Sequence, residues 1–207
     1  MTKQIKIIIT VLLFCNPLII FASQDSRTLL IYGDSISAGY GMEPDKQWAE
    51  NLKVIFNEKN FDIEIVNRSV SGETTGGGLS RIKPILEKLQ PNYLLLELGG
   101  NDALRGYPPS RILNNLKAII EIAKENEVKV FLMQIKILPN YGKRYQEQFE
   151  SIFPKVAKEN DIILLPFMLN DIALDKALML PDGIHPNADA QPLIAEYVFK
   201  SLEPHLE

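Results

Sequence analysis

Short apolar segments alternate with longer amphipathic segments along most of the chain, and this alternation constrains the fold more than any other feature. Five segments are short and rich in Val, Ile, Leu or Tyr, which is typical of β-strands: Thr28–Tyr32, Asp62–Asn67, Tyr93–Leu98, Val128–Gln134 and Ile162–Leu165. The other segments carry apolar residues at helical spacing: Gln47–Asn60, Leu79–Leu89, Ser110–Asn126, Tyr145–Glu159 and Asn187–Leu202. Strand and helix in repeated alternation predict an α/β fold, with a parallel sheet of about five strands and helices on both faces.

The first 23 residues differ from the rest and have the pattern of a secretory signal. Lys3 and Lys6 precede an almost wholly apolar run of about fifteen residues, Ile7–Phe21, and the small residues Ala22 and Ser23 follow it. This run is shorter than the ~20 residues that a helix needs to span a bilayer. We therefore predict a signal peptide over residues 1–23, a single domain over residues 24–207, and an exported protein with no stable membrane span after cleavage.

Two other interpretations of the same segment remain open. An uncleaved segment would serve as a membrane anchor. A lipoprotein signal would use Cys15, but this residue follows Phe14 rather than a small residue and lies inside the apolar run. Both alternatives leave the prediction for residues 24–207 unchanged.

Cys15 is the only cysteine in the chain, so a mature domain without the leader contains none. A disulfide, a cysteine-ligated zinc site and a cysteine nucleophile are therefore excluded from that domain. The full chain carries a net charge of −4, and removal of the two leader lysines takes it to −6. No block of Lys and Arg is present, so we expect no nucleic-acid partner.

The glycine run Gly76–Gly78 suggests a phosphate-binding loop, but neither of the usual spacings is met. No Gly-Lys-Ser/Thr follows the run, and Arg81 occupies the position of the last glycine in a dinucleotide-binding pattern. We interpret the run as a flexible turn before a helix.

Polar residues follow the predicted strands, at the edge of a parallel sheet where ligands bind. Gly33–Ser37 follows the first strand, Arg68–Gly72 the second and Gly99–Asp102 the third, and Pro181–Pro186 comes late in the chain. If the predicted strands form one sheet, these four segments crowd together at one edge.

Histidine is scarce, and this makes His185 informative. The only other histidine, His205, is the third-last residue of the chain. Asp182 precedes His185 by three residues, a spacing that allows its carboxylate to hold one ring nitrogen while the other acts as a base. Ser35 is the candidate nucleophile, although a serine after a strand is also a common helix N-cap. Ser37 stands where the Gly-x-Ser-x-Gly elbow requires glycine, which disfavours an ordinary α/β-hydrolase.

Acyl transfer also needs hydrogen-bond donors for the developing oxyanion. The backbone N–H of Ser35, the backbone N–H of Gly72 and the side-chain amide of Asn101 are the candidates. Taken singly, Gly72 and Asn101 would be turn residues; together with Ser35 and His185 they indicate a site.

Four segments of the chain resemble the conserved blocks of the SGNH (GDSL-type) hydrolases. They are Gly33–Ser37, Gly72, Gly100–Asp102 and Asp182–Pro186, in the same order and at similar spacing. Four further segments are similar to one branch of that family, the periplasmic acyl-CoA thioesterase/lysophospholipase/arylesterase branch: Ser35–Tyr40, Glu97–Gly106, Met133–Tyr141 and Asp182–Pro192. The one small departure is Ile36, where the family name expects leucine.

The resemblance implies a flavodoxin-like three-layer α/β/α sandwich, a periplasmic location and no cofactor or metal. It implies Ser35 as nucleophile, Asp182 and His185 as orienter and base, and Gly72 and Asn101 with Ser35 as the oxyanion hole. The implied substrates are small acyl esters or thioesters, such as acyl-CoA, lysophospholipids and aryl esters. Oligomeric state has no clear sequence signal, and we favour a monomer.

Apolar residues in the loops beyond the predicted site are candidates for an acyl-chain groove. They are Leu104, Tyr107, Ile137, Leu138, Tyr141, Met179 and Leu180, of which Leu104, Ile137, Leu138, Tyr141 and Leu180 are our predicted substrate-binding residues. Some of them would alternatively pack beneath the loops.

Three other functions remain possible on the sequence alone. A metal-dependent phosphoesterase would use Asp34, Asp102, Asp182 and His185 as ligands, but would leave Ser35, Gly72 and Asn101 without a role. A non-catalytic carbohydrate- or lipid-binding module would need no nucleophile. A deacetylase acting on sugar esters would share the serine mechanism and differ only in substrate.

Overall fold

The computed structural model describes residues 27–137 and 139–206. Within them the chain forms one parallel sheet of five strands: β1 (Arg27–Gly33), β2 (Ile63–Asn67), β3 (Tyr93–Glu97), β4 (Lys129–Met133) and β5 (Ile163–Leu165). The predicted α/β fold is therefore confirmed, and each strand end lies within one residue of its predicted position. The predicted leader and Leu138 lie outside the described residues.

The helices are α1 (Trp48–Glu58), α2 (Thr75–Leu89), α3 (Gly100–Leu104), α4 (Pro109–Glu125), α5 (Lys143–Glu150), α6 (Ile152–Asn160) and α7 (Ala190–Leu202). Short 3₁₀ helices span Pro44–Lys46, Pro139–Tyr141, Lys176–Leu178 and Glu203–His205. Helix α1 packs against α7, whereas α2 packs against α4 and α4 against α6. These two groups cover the sheet and give the three layers of an α/β/α sandwich. In the described ranges, no helix is both long enough and apolar enough to cross a membrane.

Helix α2 begins four residues before its predicted start, so the interpretation of Gly76–Gly78 as a turn is wrong. The Thr74 side chain accepts a hydrogen bond from the Gly77 N–H and caps the helix. This cap satisfies a donor that the first turn leaves unpaired, which lets a glycine-rich stretch enter the helix. Close packing also favours glycine, because a Cβ on Gly78 would lie 2.5 Å from Leu98 Cδ1.

The single helix predicted over Tyr145–Glu159 is divided in two at Ser151. Pro154 has no N–H and cannot donate to the Glu150 carbonyl, four residues earlier, as a continuous helix requires. The Glu150 carbonyl instead accepts a hydrogen bond from the Gln134 side chain, at 3.2 Å. The break thereby ties α5 to the segment that follows β4.

The strands are ordered β2-β1-β3-β4-β5, so the chain passes from β1 outward to β2 and then crosses back to β3. The connection that leaves β1 runs toward β2 and the connection that leaves β3 runs toward β4, in the opposite direction, so a crevice opens beyond the carboxyl ends of β1 and β3. Every residue of β3 and Leu29–Gly33 of β1 are buried, so this crevice has a rigid floor.

Candidate active site

Ser35 lies in a tight turn that leaves the carboxyl end of β1. The turn is closed by backbone hydrogen bonds from Ala38 N–H to the Asp34 carbonyl and from Tyr40 N–H to the Ser35 carbonyl. The Trp48 indole N–H donates to the Ile36 carbonyl at 3.0 Å. Ser35 is thus held from within its turn and from α1, and it is not the N-cap of a helix.

His185 lies in a second turn, just before α7, that is folded as a small hairpin. Leu180 N–H donates to the His185 carbonyl at 2.7 Å, and Met179 and Pro186 form an antiparallel bridge. At the tip, Gly183 has a φ of +66°, a conformation that glycine adopts without strain. The hairpin turns the imidazole ring back toward β1.

The two turns bring three predicted residues into one chain of hydrogen bonds. His185 Nε2 lies 2.9 Å from Ser35 Oγ, and His185 Nδ1 lies 2.7 Å from Asp182 Oδ2. Asp182 Oδ1 accepts hydrogen bonds from the backbone N–H groups of Ile184 and His185. The side chain of His185 is 16% exposed and that of Asp182 is 38% exposed. The Tyr40 ring lies against the imidazole, with ring centroids 4.3 Å apart.

The electrostatics of Asp182 favour its ionised form. Burial opposes the charge, but hydrogen bonds from the His185 backbone and ring and from Ile184 outweigh it and lower the pKa of Asp182 to about 2. An ionised carboxylate only accepts hydrogen bonds, so His185 keeps its proton on Nδ1 and leaves Nε2 free to accept one from Ser35.

The three predicted oxyanion donors belong to residues that line one cavity: Ser35, Gly72 and Asn101. In the part of the chain that the structure describes, the backbone N–H groups of Ser35 and Gly72 donate to no other group. Gly72 has a φ of +79°, and its carbonyl accepts a hydrogen bond from Arg105 at 3.2 Å. Asn101 Nδ2 donates to Asp34 Oδ2 at 3.0 Å, which leaves its second N–H available.

The cavity has a volume of about 790 Å³ and extends from Ser35 and His185 toward the ends of β4 and β5. Of the candidate groove residues, Leu104, Ile137 and Met179 line it. Three others do not line it: Tyr107, Tyr141 and Leu180. Tyr141 lies in its 3₁₀ helix, and Leu180 lies in the His185 hairpin with its side chain against Gly41.

One wall of the cavity was not predicted from the sequence. It is formed by residues that follow β5: Phe167, Met168, Leu169, Asn170, Ala173 and Leu174. The rule that ligands bind beyond the carboxyl ends of strands points to this segment, but only once β5 is placed in the sheet. Tyr40, Asp34 and Glu97 also line the cavity, and only Asp34 was a candidate, as a metal ligand.

The carboxylates of the metal-dependent alternative have other partners. Asp102 accepts hydrogen bonds from the Thr75 N–H and hydroxyl, both at 2.7 Å, and Asp182 is bound to His185. Among residues 27–137 and 139–206, no three His, Cys, Asp or Glu side chains are grouped so that they could hold a metal ion.

Comparison with known proteins identifies the class that this fold and site define. Residues 31–192 match the model of the GDSL-like lipase/acylhydrolase family, and this span includes every residue of the site described above. The chain belongs to that family.

Several relatives are similar over nearly the whole chain. The arylesterase of Vibrio mimicus is 43% identical over 203 residues, which cover 98% of this chain and 100% of the relative. Thioesterase 1/protease 1/lysophospholipase L1 of Escherichia coli K12 is 44% identical over 90% of this chain and 88% of its own length. The crystal structure of the psychrotrophic esterase EstA from Pseudoalteromonas sp., inhibited by monoethylphosphonate, superposes with a TM-score of 0.84 at 39% identity, over 86% of this chain and 97% of EstA.

Proposed function

We propose that this protein is a serine hydrolase that cleaves carboxylic ester and thioester bonds of acyl substrates through an acyl-Ser35 intermediate. The observation that carries the proposal is the hydrogen-bonded chain from Ser35 through His185 to Asp182 at the mouth of a largely apolar cavity. The relatives named as arylesterase, thioesterase and lysophospholipase support the bond type.

In the first step, Ser35 Oγ attacks the acyl carbonyl carbon while His185 Nε2 takes the hydroxyl proton. The resulting imidazolium is stabilised by Asp182, and it donates its proton to the departing alcohol or thiol as the bond to the acyl carbon breaks. In the second step, His185 takes a proton from water, the hydroxide attacks the acyl-enzyme, and the proton returns to Ser35 as the carboxylic acid leaves. No cofactor is required.

The oxyanion formed in each step is held by the N–H groups of Ser35 and Gly72 and by the Asn101 amide. Fixed donors of this kind act most strongly where water is excluded, because they need no reorganisation when charge develops.

The cavity favours an acyl chain over a polar substrate. Its volume of about 790 Å³ falls within the range of small-molecule pockets, and apolar residues from two loops, including Ile137 and Leu169, form its walls. We assign Leu104 and Ile137 to substrate binding, with Leu138, Tyr141 and Leu180 retained only as sequence-based candidates.

The decisive experiment compares the wild-type enzyme with Ser35→Ala and His185→Ala on a series of p-nitrophenyl esters and acyl-CoA thioesters of increasing chain length. We expect both variants to lose turnover and keep their circular dichroism spectra. A fluorophosphonate should label the wild type and not Ser35→Ala. Activity near the wild-type level in purified Ser35→Ala would overturn the proposal.

Export is part of the proposal, with residues 1–23 as a cleaved signal and the periplasm as the location. We expect the protein from a bacterial periplasmic extract to have a mass that lacks the leader. A protein that retains residues 1–23 and sediments with membranes would instead favour the anchor.

A further inference from the structure

Two carboxyl groups lie buried directly beneath the catalytic turn, and the mechanism above does not use them. Asp34, the residue before Ser35, is 3% exposed, and Glu97, the last residue of β3, is 2% exposed. Burying a carboxyl group lowers the stability of the folded protein unless the group is hydrogen-bonded, so these two buried carboxyls are expected to have a role.

Asp34 determines how the Asn101 amide is oriented. Its Oδ2 accepts the hydrogen bond from Asn101 Nδ2, and its Oδ1 accepts one from the Ile36 N–H at 3.1 Å. Because a carboxylate can only accept, it fixes the nitrogen end of Asn101 toward itself. The second hydrogen on that nitrogen is then free for the oxyanion. With the amide reversed, the Asn101 oxygen would replace this donor.

Glu97 holds the turn from below. Its Oε2 accepts hydrogen bonds from Ser37 Oγ at 2.7 Å and from the Asp34 N–H at 3.3 Å, so it binds residues on both sides of Ser35. Gly33 leaves room for this carboxyl, since a Cβ at that position would overlap Glu97 Oε2.

We propose that Asp34 and Glu97 form a positioning pair for the reaction, in which Asp34 orients the Asn101 amide toward the oxyanion and Glu97 holds the turn that carries Ser35. The pair rests on the proposed serine mechanism and acts through Asn101 and Ser35.

The charge states of the pair agree with these roles. Burial and the neighbouring Asp34 charge raise the pKa of Glu97 well above its usual value, which favours its protonated form, and Oε2, which accepts two bonds, leaves that proton to Oε1. Burial raises the pKa of Asp34 to about 6, against hydrogen bonds from Ile36 and Asn101, so Asp34 is mainly ionised above that pH. The titratable groups that act on Asp34 are Glu97 in β3, Asp102 in α3 and His185 in its hairpin.

The first test is Asp34→Asn, alone and combined with Asn101→Ala. The new amide keeps its oxygen on the Ile36 N–H and turns its NH₂ toward Asn101, so two donors face each other and the Asn101 amide reverses. We expect kcat to fall by ~10²-fold with KM changed less than about threefold, because only the transition state uses the donor. The double variant should be no slower than Asn101→Ala alone, since Asp34 acts through Asn101.

A pH profile adds a readout that a purely structural role would not move. In Asp34→Asn, the acid limb of the kcat–pH profile should no longer show a group that ionises near pH 6. The same contribution should be absent in Asn101→Ala, because Asp34 acts through Asn101. Multiplicative losses in the double variant, or an unchanged acid limb, would overturn the role of Asp34.

The second test compares Glu97→Gln with Glu97→Leu. Gln reproduces a neutral carboxyl, with an oxygen for both donors, so we expect kcat within about threefold of the wild type. Leu leaves the Ser37 hydroxyl and the Asp34 N–H without an acceptor, and kcat should fall at least tenfold. Tyr32→Phe is the matched control, because it removes a buried hydrogen bond to the Gly78 carbonyl outside the site and should lower Tm while kcat stays within a few-fold of the wild type.

The outcomes separate the two proposals. Full kcat in folded Glu97→Leu, or loss of kcat in Glu97→Gln equal to that in Leu, overturns the role of Glu97 and leaves the serine mechanism standing. Full activity in Ser35→Ala overturns the mechanism itself, whatever the carboxyl variants do.

Discussion

Ser35 is a candidate nucleophile because of the residues around it, and only some of their contacts can be predicted from the sequence. The spacing of Asp182 and His185 predicts their contact, because three residues of chain limit how far apart they can lie. The contact between His185 and Ser35 joins residues 150 positions apart and could be expected only from the fold. The buried Glu97 carboxyl could have been suspected as the one charged residue of an otherwise apolar strand, Tyr93–Glu97, but its partners could not.

Asn101→Ala tests the oxyanion donor on its own. We expect kcat to fall by ~10²–10³, because one preorganised donor to the oxyanion is lost. Steady-state kinetics on a p-nitrophenyl ester measure the effect, with thermal unfolding as a check on the fold. An unchanged kcat would assign Asn101 to the turn alone.

Asp182→Asn tests the orienting carboxylate without changing its shape. The asparagine oxygen stays on the backbone N–H groups of Ile184 and His185, so its NH₂ faces His185 Nδ1. The ring must then carry its proton on Nε2, where it cannot accept one from Ser35. We expect kcat to fall by ~10²–10⁴, the upper end matching the loss known for the same substitution in a serine protease. Loss of less than tenfold would contradict this assignment of roles.

At the scale of the element, apolar periodicity predicts the strands closely and the helix ends less well. Strand ends follow from where apolar residues stop, whereas the start of α2 depends on a cap at Thr74 that outweighs three consecutive glycines. Pro154 is a signal for the division between α5 and α6, since proline removes an N–H that a helix needs, but it does not suffice alone, because α2 continues through Pro84. The apolar periodicity alone does not predict the break, because it continues from α5 into α6: Phe149 and Phe153 lie on one face and contact each other.

The glycines of α2 give a matched pair of substitutions. A Cβ on Gly76 would meet its nearest neighbour at 3.6 Å, an ordinary contact, so Gly76→Ala should stabilise the protein by about 0.5–1 kcal/mol through the unfolded chain. A Cβ on Gly78 would lie 2.5 Å from Leu98 Cδ1, so Gly78→Ala should destabilise it by about 1–3 kcal/mol. Denaturant unfolding of both variants measures these effects, and equal effects would show that α2 packs less tightly against Leu98 than described.

For the whole molecule, the alternating pattern is enough to predict a parallel sheet with covered faces, but not the order of its strands. The order β2-β1-β3-β4-β5 depends on contacts between segments far apart in the chain. The same limit applies to the cavity, because its wall after β5 is recognisable only once β4 and β5 are neighbours.

The free energy of unfolding should depend on pH because the pKa of buried Glu97 is raised in the folded protein. The unfolded chain ionises this group near 4.5, whereas the folded protein retains its proton to higher pH, so stability falls as pH rises from about 4.5 through the folded pKa. Glu97→Gln removes that dependence. We expect the Tm of the variant, relative to wild type, to increase as pH rises from about 4.5 and to level off above the folded pKa of Glu97. A difference that stays constant with pH would mean that Glu97 is ionised in the folded protein.

The separation of Ser35 and His185 by 150 residues also bears on when the enzyme becomes active. Synthesis delivers the chain from its N-terminus, so the nucleophile emerges long before its base. The hairpin that carries His185 is anchored by α7, whose Gln191 side chain accepts a hydrogen bond from Trp48 N–H at the start of α1. A nascent chain that has not yet released His185 and α7 therefore contains the serine nucleophile without its base, and hydrolysis begins only once these segments have joined the fold.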